Sequence, residues 1–161
     1  KLLMFTEGCI EYSKGSHGAQ TANAERYARE ILHSFNAGLN AFFDWNLLLD
    51  MSGGPNHKGN YCDAPIMVDP ERKLLKYNLS YSYIMHFSRY IRPGAVRIGT
   101  TCYDNDLRFC AALNPDGSIV AVALNTSAAG KKGFVRLRGE LAEAFFPPHS
   151  ISTLLIGGEE A

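Results

Sequence analysis

At 161 residues the chain has room for one ordinary domain or two small ones. Sixteen Lys and Arg offset sixteen Asp and Glu, so the formal net charge is zero, which argues against the basic face of an electrostatic nucleic-acid binder. A hydrophobic content of 46% excludes a disordered chain, and no apolar run approaches the roughly 20 residues of a membrane helix.

In chain order, "KLLMFTEG" opens with an apolar run that reads as a short buried strand over residues 2–7. It delivers Glu7 to its end. No signal peptide is read here, and secreted and cytoplasmic settings both stay open. Residues 8–22 read as a loop. Asn23 is a good N-cap for a helix in which Tyr27, Ile31, Leu32, Phe35 and Leu39 recur at helical spacing, and Gly38 supplies a stop. "NAFFDWNLLLD" is too continuously apolar for a one-sided strand, so it predicts one strand buried on both faces, as in a parallel sheet. A long loop rich in Gly, Pro and Asn follows; loops of that length in compact domains are usually functional or disordered, and its specific rather than repetitive polar content favours function. Ser80 is the expected cap of a second helix with Ile84, Phe87 and Ile91 on its apolar stripe, ended by Pro93-Gly94.

Near residue 95 the texture changes. From Val96 the period drops to two, and "VRIGTTCY", "LRFCAAL", "SIVAVALN", "GFVRLRG" and "SISTLLIG" read as about five strands. "NPDG" is a strong turn signal, and the two prolines of "FFPPHS" preclude regular pairing there. The expected organisation is therefore an α/β region over residues 1–94 and an all-β, sandwich-like region over residues 95–161. Two strand–helix pairs cannot close a barrel of eight, so the chain reads as the tail of something larger.

The four cysteines, Cys9, Cys62, Cys102 and Cys110, form no C-x-x-C pair. Cys102 and Cys110 could meet on neighbouring strands, but buried free thiols are the expected state. The five histidines show no metal-ligand spacing, and neither a metal nor a cofactor is expected.

Three groups of residues could carry chemistry. Glu7 sits where parallel strands present active-site groups, as a nucleophile, base or ligand; the competing reading is a solvated loop carboxylate. Asp44, Trp45 and Asn46 offer a charge, a broad apolar face with one N–H, and an amide, which together suit a sugar ring. The competing reading is a core Trp with Asp44 paired to an Arg. In "GGPNHKGNYCDAPI", Asn56, His57, Asn60 and Asp63 could reach a ligand.

The pieces "TEG", "DWNLLLD" and "GGPNHKGNYCDAPI", in that order, resemble glycoside hydrolase family 30, which includes glucosylceramidases. The likeness continues through "HFSRYIRPGAVRIG" and "NPDGSIVAVALN" to "SISTLLI", nearly the whole chain. The resemblance implies the last two βα units of a (β/α)₈ TIM barrel followed by most of an antiparallel β-sandwich. It implies a retaining β-glycosidase, which needs two carboxyls about 5 Å apart. By the same resemblance Glu7 matches the nucleophile, Trp45 the Trp beside the sugar, and Asn60 a loop Asn that contacts it. Asn46 is expected just behind them. His57 stands where animal glucosylceramidases carry Trp, so ceramide is not assumed as the aglycone.

The family's acid/base Glu follows an Asn on a strand that has no match here, and Glu11, Glu25, Asp50 and Asp63 do not replace it. The expected partners are a β-linked glycoside or glycolipid and the N-terminal part of the same protein. The isolated chain is expected to be inactive and prone to self-association. The alternative is a carbohydrate-binding or structural module without catalysis.

Overall fold

A computed structural model describes residues 1–12 and 19–157. The chain divides into two compact units, Lys1–Met85 and His86–Ala161.

In the first unit β1 (Met4–Gly8) is followed by α1 (Gln20–Asn36) and β2 (Ala41–Asp44), and β1 pairs β2 in parallel. The pairing is irregular at one place. Phe5 faces Phe42 and Gly8 faces Asp44, so Thr6 and Glu7 together stand against the single residue Phe43. Such a bulge re-aims side chains and is common beside active sites. α1 buries Tyr27, Ile31 and Leu32 of the expected stripe together with Ala24 and Ala28, while Phe35 is half-buried and Leu39 lies beyond the helix. It stops at Gly38, whose φ of 89° suits Gly alone. The Gly38 N–H bonds the Phe35 carbonyl and the Leu39 N–H bonds that of Ser34, the paired bonds of a Schellman end. Asn23 is not the N-cap. The helix begins three residues earlier, with Ala19 at the cap, and the Asn23 side chain is buried elsewhere.

The single strand expected over residues 40–50 is two strands. β2 ends at Asp44, the chain bends, and β3 (Leu48–Asp50) enters a different sheet. There it pairs in parallel with β4 (Ile66–Asp69), which pairs antiparallel with β5 (Leu74–Tyr77). β4 carries no strand signal of its own because "IMVD" follows a proline inside a loop-like stretch. β5 is exposed along its whole length. α2 (Leu79–Ser88) follows, and its cap position falls on Asn78, not on Ser80, which lies inside the helix and is buried. No described helix is long and apolar enough to cross a membrane.

The second unit is all strand after α2. β6 (Val96–Ile98), β7 (Leu107–Leu113), β8 (Ile119–Asn125) and β11 (Ser150–Ile156) form an antiparallel sheet in the order β11-β8-β7-β6. β6 is much shorter than "VRIGTTCY" suggested. β8 is central and buried at every residue. The "NPDG" turn joins β7 to β8, with the Gly117 N–H bonding the Asn114 carbonyl at 3.0 Å. β9 (Lys131–Leu137) and β10 (Glu140–Phe146) make a separate hairpin. Its turn residues, Arg138 and Gly139, both have positive φ, the geometry that tight hairpins favour. β10 is a strand beyond the expected five: "ELAEAFF" is rich in helix formers, and tertiary pairing overrides that preference. The core of this unit sets Leu107, Ala123 and Phe146 against Phe109, Val135, Ala144 and Leu154.

Candidate active site

All five residues singled out for catalysis or sugar binding lie in the first unit. Glu7 sits in the bulge near the C-terminal end of β1 and is exposed. Trp45 is the first residue beyond β2, and its N–H bonds the carbonyl of Gly8 at 2.7 Å. The residues next to Glu7 and next to Asp44 are thus tied together where the two parallel strands end. Trp45 is 51% exposed, so the described residues do not enclose it as a core Trp. Among the described residues Asp44 has no Arg partner; its neighbour is the Tyr27 hydroxyl. Asn46 is half-buried in the bend before β3.

The loop between β3 and β4 is held at both ends. At its start Asp50 Oδ1 accepts the Ser52 N–H at 2.8 Å and the Gly54 N–H at 3.0 Å. These bonds and the Ser52 hydroxyl hold its carboxyl below the usual carboxylate range. Gly53 has φ 88°, and a Cβ there would lie 2.5 Å from the Cys62 carbonyl oxygen, so no other residue fits. At the far end the Tyr12 N–H bonds the Tyr61 carbonyl and the Asp63 N–H bonds the Ile10 carbonyl, both at 2.7 Å. Cys9 and Cys62 are joined by a disulfide. Asn60 therefore lies two residues from a covalent tether whose other end is two residues beyond Glu7. His57 and Asn60 are both exposed, and Asn56 Oδ1 accepts the Lys58 N–H at 2.7 Å in an exposed turn. Among the described residues no hydrogen bond joins the side chains of Glu7, Trp45, Asn46, His57 and Asn60. Backbone, not direct contact, sets their spacing.

The Cys9–Cys62 disulfide is a pairing that the sequence did not suggest. Cys102 is free but exposed, and only Cys110 is a buried free thiol, its acidity suppressed by burial to a pKa of about 12. The partners are 53 residues apart in sequence, so nothing local marks them as a pair. Closing a loop of that length constrains the unfolded chain. Replacing Cys62 with Ala is expected to lower the stability of the first unit by about 2–4 kcal/mol. Urea unfolding would check this. The unmodified chain with reductant should unfold near the variant's midpoint, and identical curves with and without reductant would contradict the prediction.

Asp63 is a further correction. It was a candidate to reach a ligand, yet it is only 3% exposed and serves as a hub. Its Oδ1 accepts the Tyr12 hydroxyl at 3.0 Å and Asn78 Nδ2 at 2.9 Å, and its Oδ2 accepts Asn23 Nδ2 at 3.3 Å. This joins the segment after β1, helix α1, the loop before β4 and the start of α2. Burial raises the Asp63 pKa, partly offset by these donors.

The family model of the glycosyl hydrolase family 30 TIM-barrel domain matches residues 2–91, and that of the family 30 β-sandwich domain matches residues 94–154. The chain belongs to glycosyl hydrolase family 30. It comprises the C-terminal part of the family 30 TIM barrel and the β-sandwich domain. Lysosomal acid glucosylceramidase of Mus musculus is 33% identical over 131 residues, covering 78% of this chain and 25% of the mouse protein. Putative glucosylceramidase 4 of Caenorhabditis elegans is 30% identical over 127 residues, covering 76% of this chain and 24% of the relative. The chain thus spans about a quarter of the length of these family 30 relatives. Among solved structures, SrfJ from Salmonella typhimurium superposes with a TM-score of 0.92 at 38% identity, over 99% of this chain and 36% of SrfJ. The endo-β1,6-glucanase BT3312 gives 0.80 at 30% identity, over 95% of this chain and 35% of the glucanase.

Proposed function

We propose that the complete protein carrying this chain is a retaining β-glycosidase acting on a β-linked glucosyl group, with Glu7 as its nucleophile. The observation that carries this reading is the bulged end of β1. It presents an exposed carboxylate beside the half-exposed indole of Trp45, in a chain of family 30. Glu7 would attack the anomeric carbon and form a covalent glycosyl ester as the aglycone oxygen leaves with a proton. Water would then hydrolyse the ester. Trp45 would stack on the sugar, with Asn60, Asn46 and His57 lining it. Glucose is favoured because relatives at 30% identity or more include proteins named glucosylceramidase and β1,6-glucanase.

The acid/base carboxyl belongs, on this reading, to a barrel strand upstream of Lys1. The functional division is a barrel portion over residues 1–94 and a sandwich over residues 95–161. Leu2, Leu3, Met4 and Phe43 are exposed on the β1–β2 sheet, which supports their being covered by upstream strands of the same protein. Isolated, the 161 residues would self-associate through that face and turn over no glycoside.

The test is covalent trapping. A 2-deoxy-2-fluoro-β-glucosyl substrate with a good leaving group slows hydrolysis of the ester, so the complete protein should accumulate a glycosyl adduct. Peptide mapping should place it on Glu7. Labelling of another carboxylate, or turnover without any adduct, would sink the assignment. A second reading, a sugar-binding module without catalysis, is favoured by Trp45 alone. Trp45 emission that responds to sugar in a protein that never forms the adduct would support it.

A further inference from the structure

The glycosidase reading leaves one carboxyl at the strand ends unused. Asp44 closes β2 and pairs in register with Gly8. Its Oδ1 accepts the Trp45 N–H at 2.9 Å, so that N–H is shared between Asp44 and the Gly8 carbonyl. Among the described residues its buried Oδ2 and the Tyr27 hydroxyl each lack a close hydrogen bond, though the hydroxyl lies near enough to favour the carboxylate. The two groups are neighbours, each influencing the other's ionisation.

Among the described residues the charged and titratable groups facing Asp44 are Tyr27 and Glu30 from α1 and Asp63 from the segment before β4. From β1 the facing residue is Gly8, where a Cβ would come 3.7 Å from Asp44 Oδ1. None of these is a cation. A carboxylate kept partly buried without a counter-charge costs stability, and packing alone would be served better by an amide or an apolar side chain. What the carboxylate gains is a charge-assisted bond to one backbone N–H, stronger than a neutral acceptor would make. That N–H belongs to the residue carrying the exposed indole.

We propose that Asp44 is a positioning residue for Trp45: its carboxylate fixes the direction in which the indole leaves β2, and protonation loosens that hold. Any effect of this on sugar stacking rests on the glycosidase reading; the positioning itself does not. Burial is the largest influence on the Asp44 proton, raising its pKa to about 6 against the opposing pull of the Trp45 N–H and the Tyr27 hydroxyl. The switch would therefore operate just below neutral pH.

Trp45 is the sole Trp of the chain, so its emission reports this position without ambiguity. The 161-residue chain, at a concentration where gel filtration shows a monomer, would be titrated from about pH 4 to about pH 8, a range that brackets both forms. The expected result is a sigmoidal change in Trp45 emission with a midpoint near pH 6. Asp44→Asn, which keeps an oxygen acceptor but cannot ionise, should abolish the step. Tyr27→Phe should move the midpoint upward, because a group that favours the carboxylate is gone.

A flat profile in the unmodified chain, or a step that survives Asp44→Asn, overturns the proposal. If Asp44→Asn does not give the native circular dichroism spectrum, Tyr27→Phe decides, and an unmoved midpoint is the negative result. The experiment uses no substrate. A chain that shows the switch in a protein without glycosidase activity would refute the earlier reading only, and the reverse outcome would refute this one only.

Discussion

Glu7→Ala in the complete protein is expected to lower glycoside hydrolysis by about 10⁴-fold or more, the scale at which removing a covalent nucleophile acts. The variant also leaves a gap on the face of the sugar that the carboxylate would attack. A small anion such as azide should enter it and restore turnover. The stereochemistry of the product is the sharper readout. Azide replacing the nucleophile attacks from the α face, so a β-glycoside yields the α-glycosyl azide. Loss of the acid/base group would instead leave the glycosyl–enzyme ester to be opened by azide from the β face. Product analysis by NMR separates these cases, and a β-azide from Glu7→Ala would remove Glu7 from the nucleophile's role. Mere weakening of KM with kcat intact would do the same, since a nucleophile acts in the transition state.

The second large effect concerns folding. Asp63→Ala is expected to destabilise the first unit by about 3–5 kcal/mol, because it strands three donors from Tyr12, Asn23 and Asn78 away from water. Asp63→Asn should cost less, since it keeps one oxygen for Tyr12 and Asn78 and the Asn23 amide can turn to meet the new NH₂. Denaturant midpoints would rank the two, and an alanine variant no weaker than the asparagine one would contradict the hub. The pH dependence follows from the raised pKa. The folded state holds the Asp63 proton more tightly than the unfolded state, whose value is near 3.8. The group's contribution is therefore full below that value and is lost as pH rises through the folded pKa. Asp63→Asn should flatten that slope.

Much of the chain's organisation was legible because local chemistry and tertiary structure agree. The stripe of Tyr27, Ile31 and Leu32, the stop at Gly38 and the turn at Asn114–Gly117 each satisfy their backbone locally. The misses have physical causes. Asn23 and Ser80 are good caps by type, but burial claims their side chains and leaves Ala19 and Asn78 at the ends. The apolar run over residues 40–50 gave no sign of its bend, because a parallel strand pair and a separate sheet both demand apolar residues there. β10 was hidden by its glutamates and alanines.

The site divides the same way. Glu7, Trp45 and Asn60 could be named only through resemblance to the family, since composition and spacing left a solvated carboxylate and a core Trp open. The Cys9–Cys62 bond, the Asp63 hub and the Tyr27–Asp44 pair lay beyond reach. Each joins residues far apart in sequence, and no short motif announces a contact that only the folded chain creates.

The bulge at Thr6 and Glu7 has a bearing on how such strands may be redesigned. In a regular strand the side to which a residue points follows from odd and even position. Two residues standing against one shift that count by one, so every position before Glu7 is out of phase with every position after it. A designer who idealises β1 into an unbroken ladder, keeping composition and hydrophobic alternation, would preserve everything a pattern-matching test can see. The Glu7 carboxylate would nonetheless be rotated out of its place, and the nucleophile proposed for it would be lost from a sequence that still looked correct.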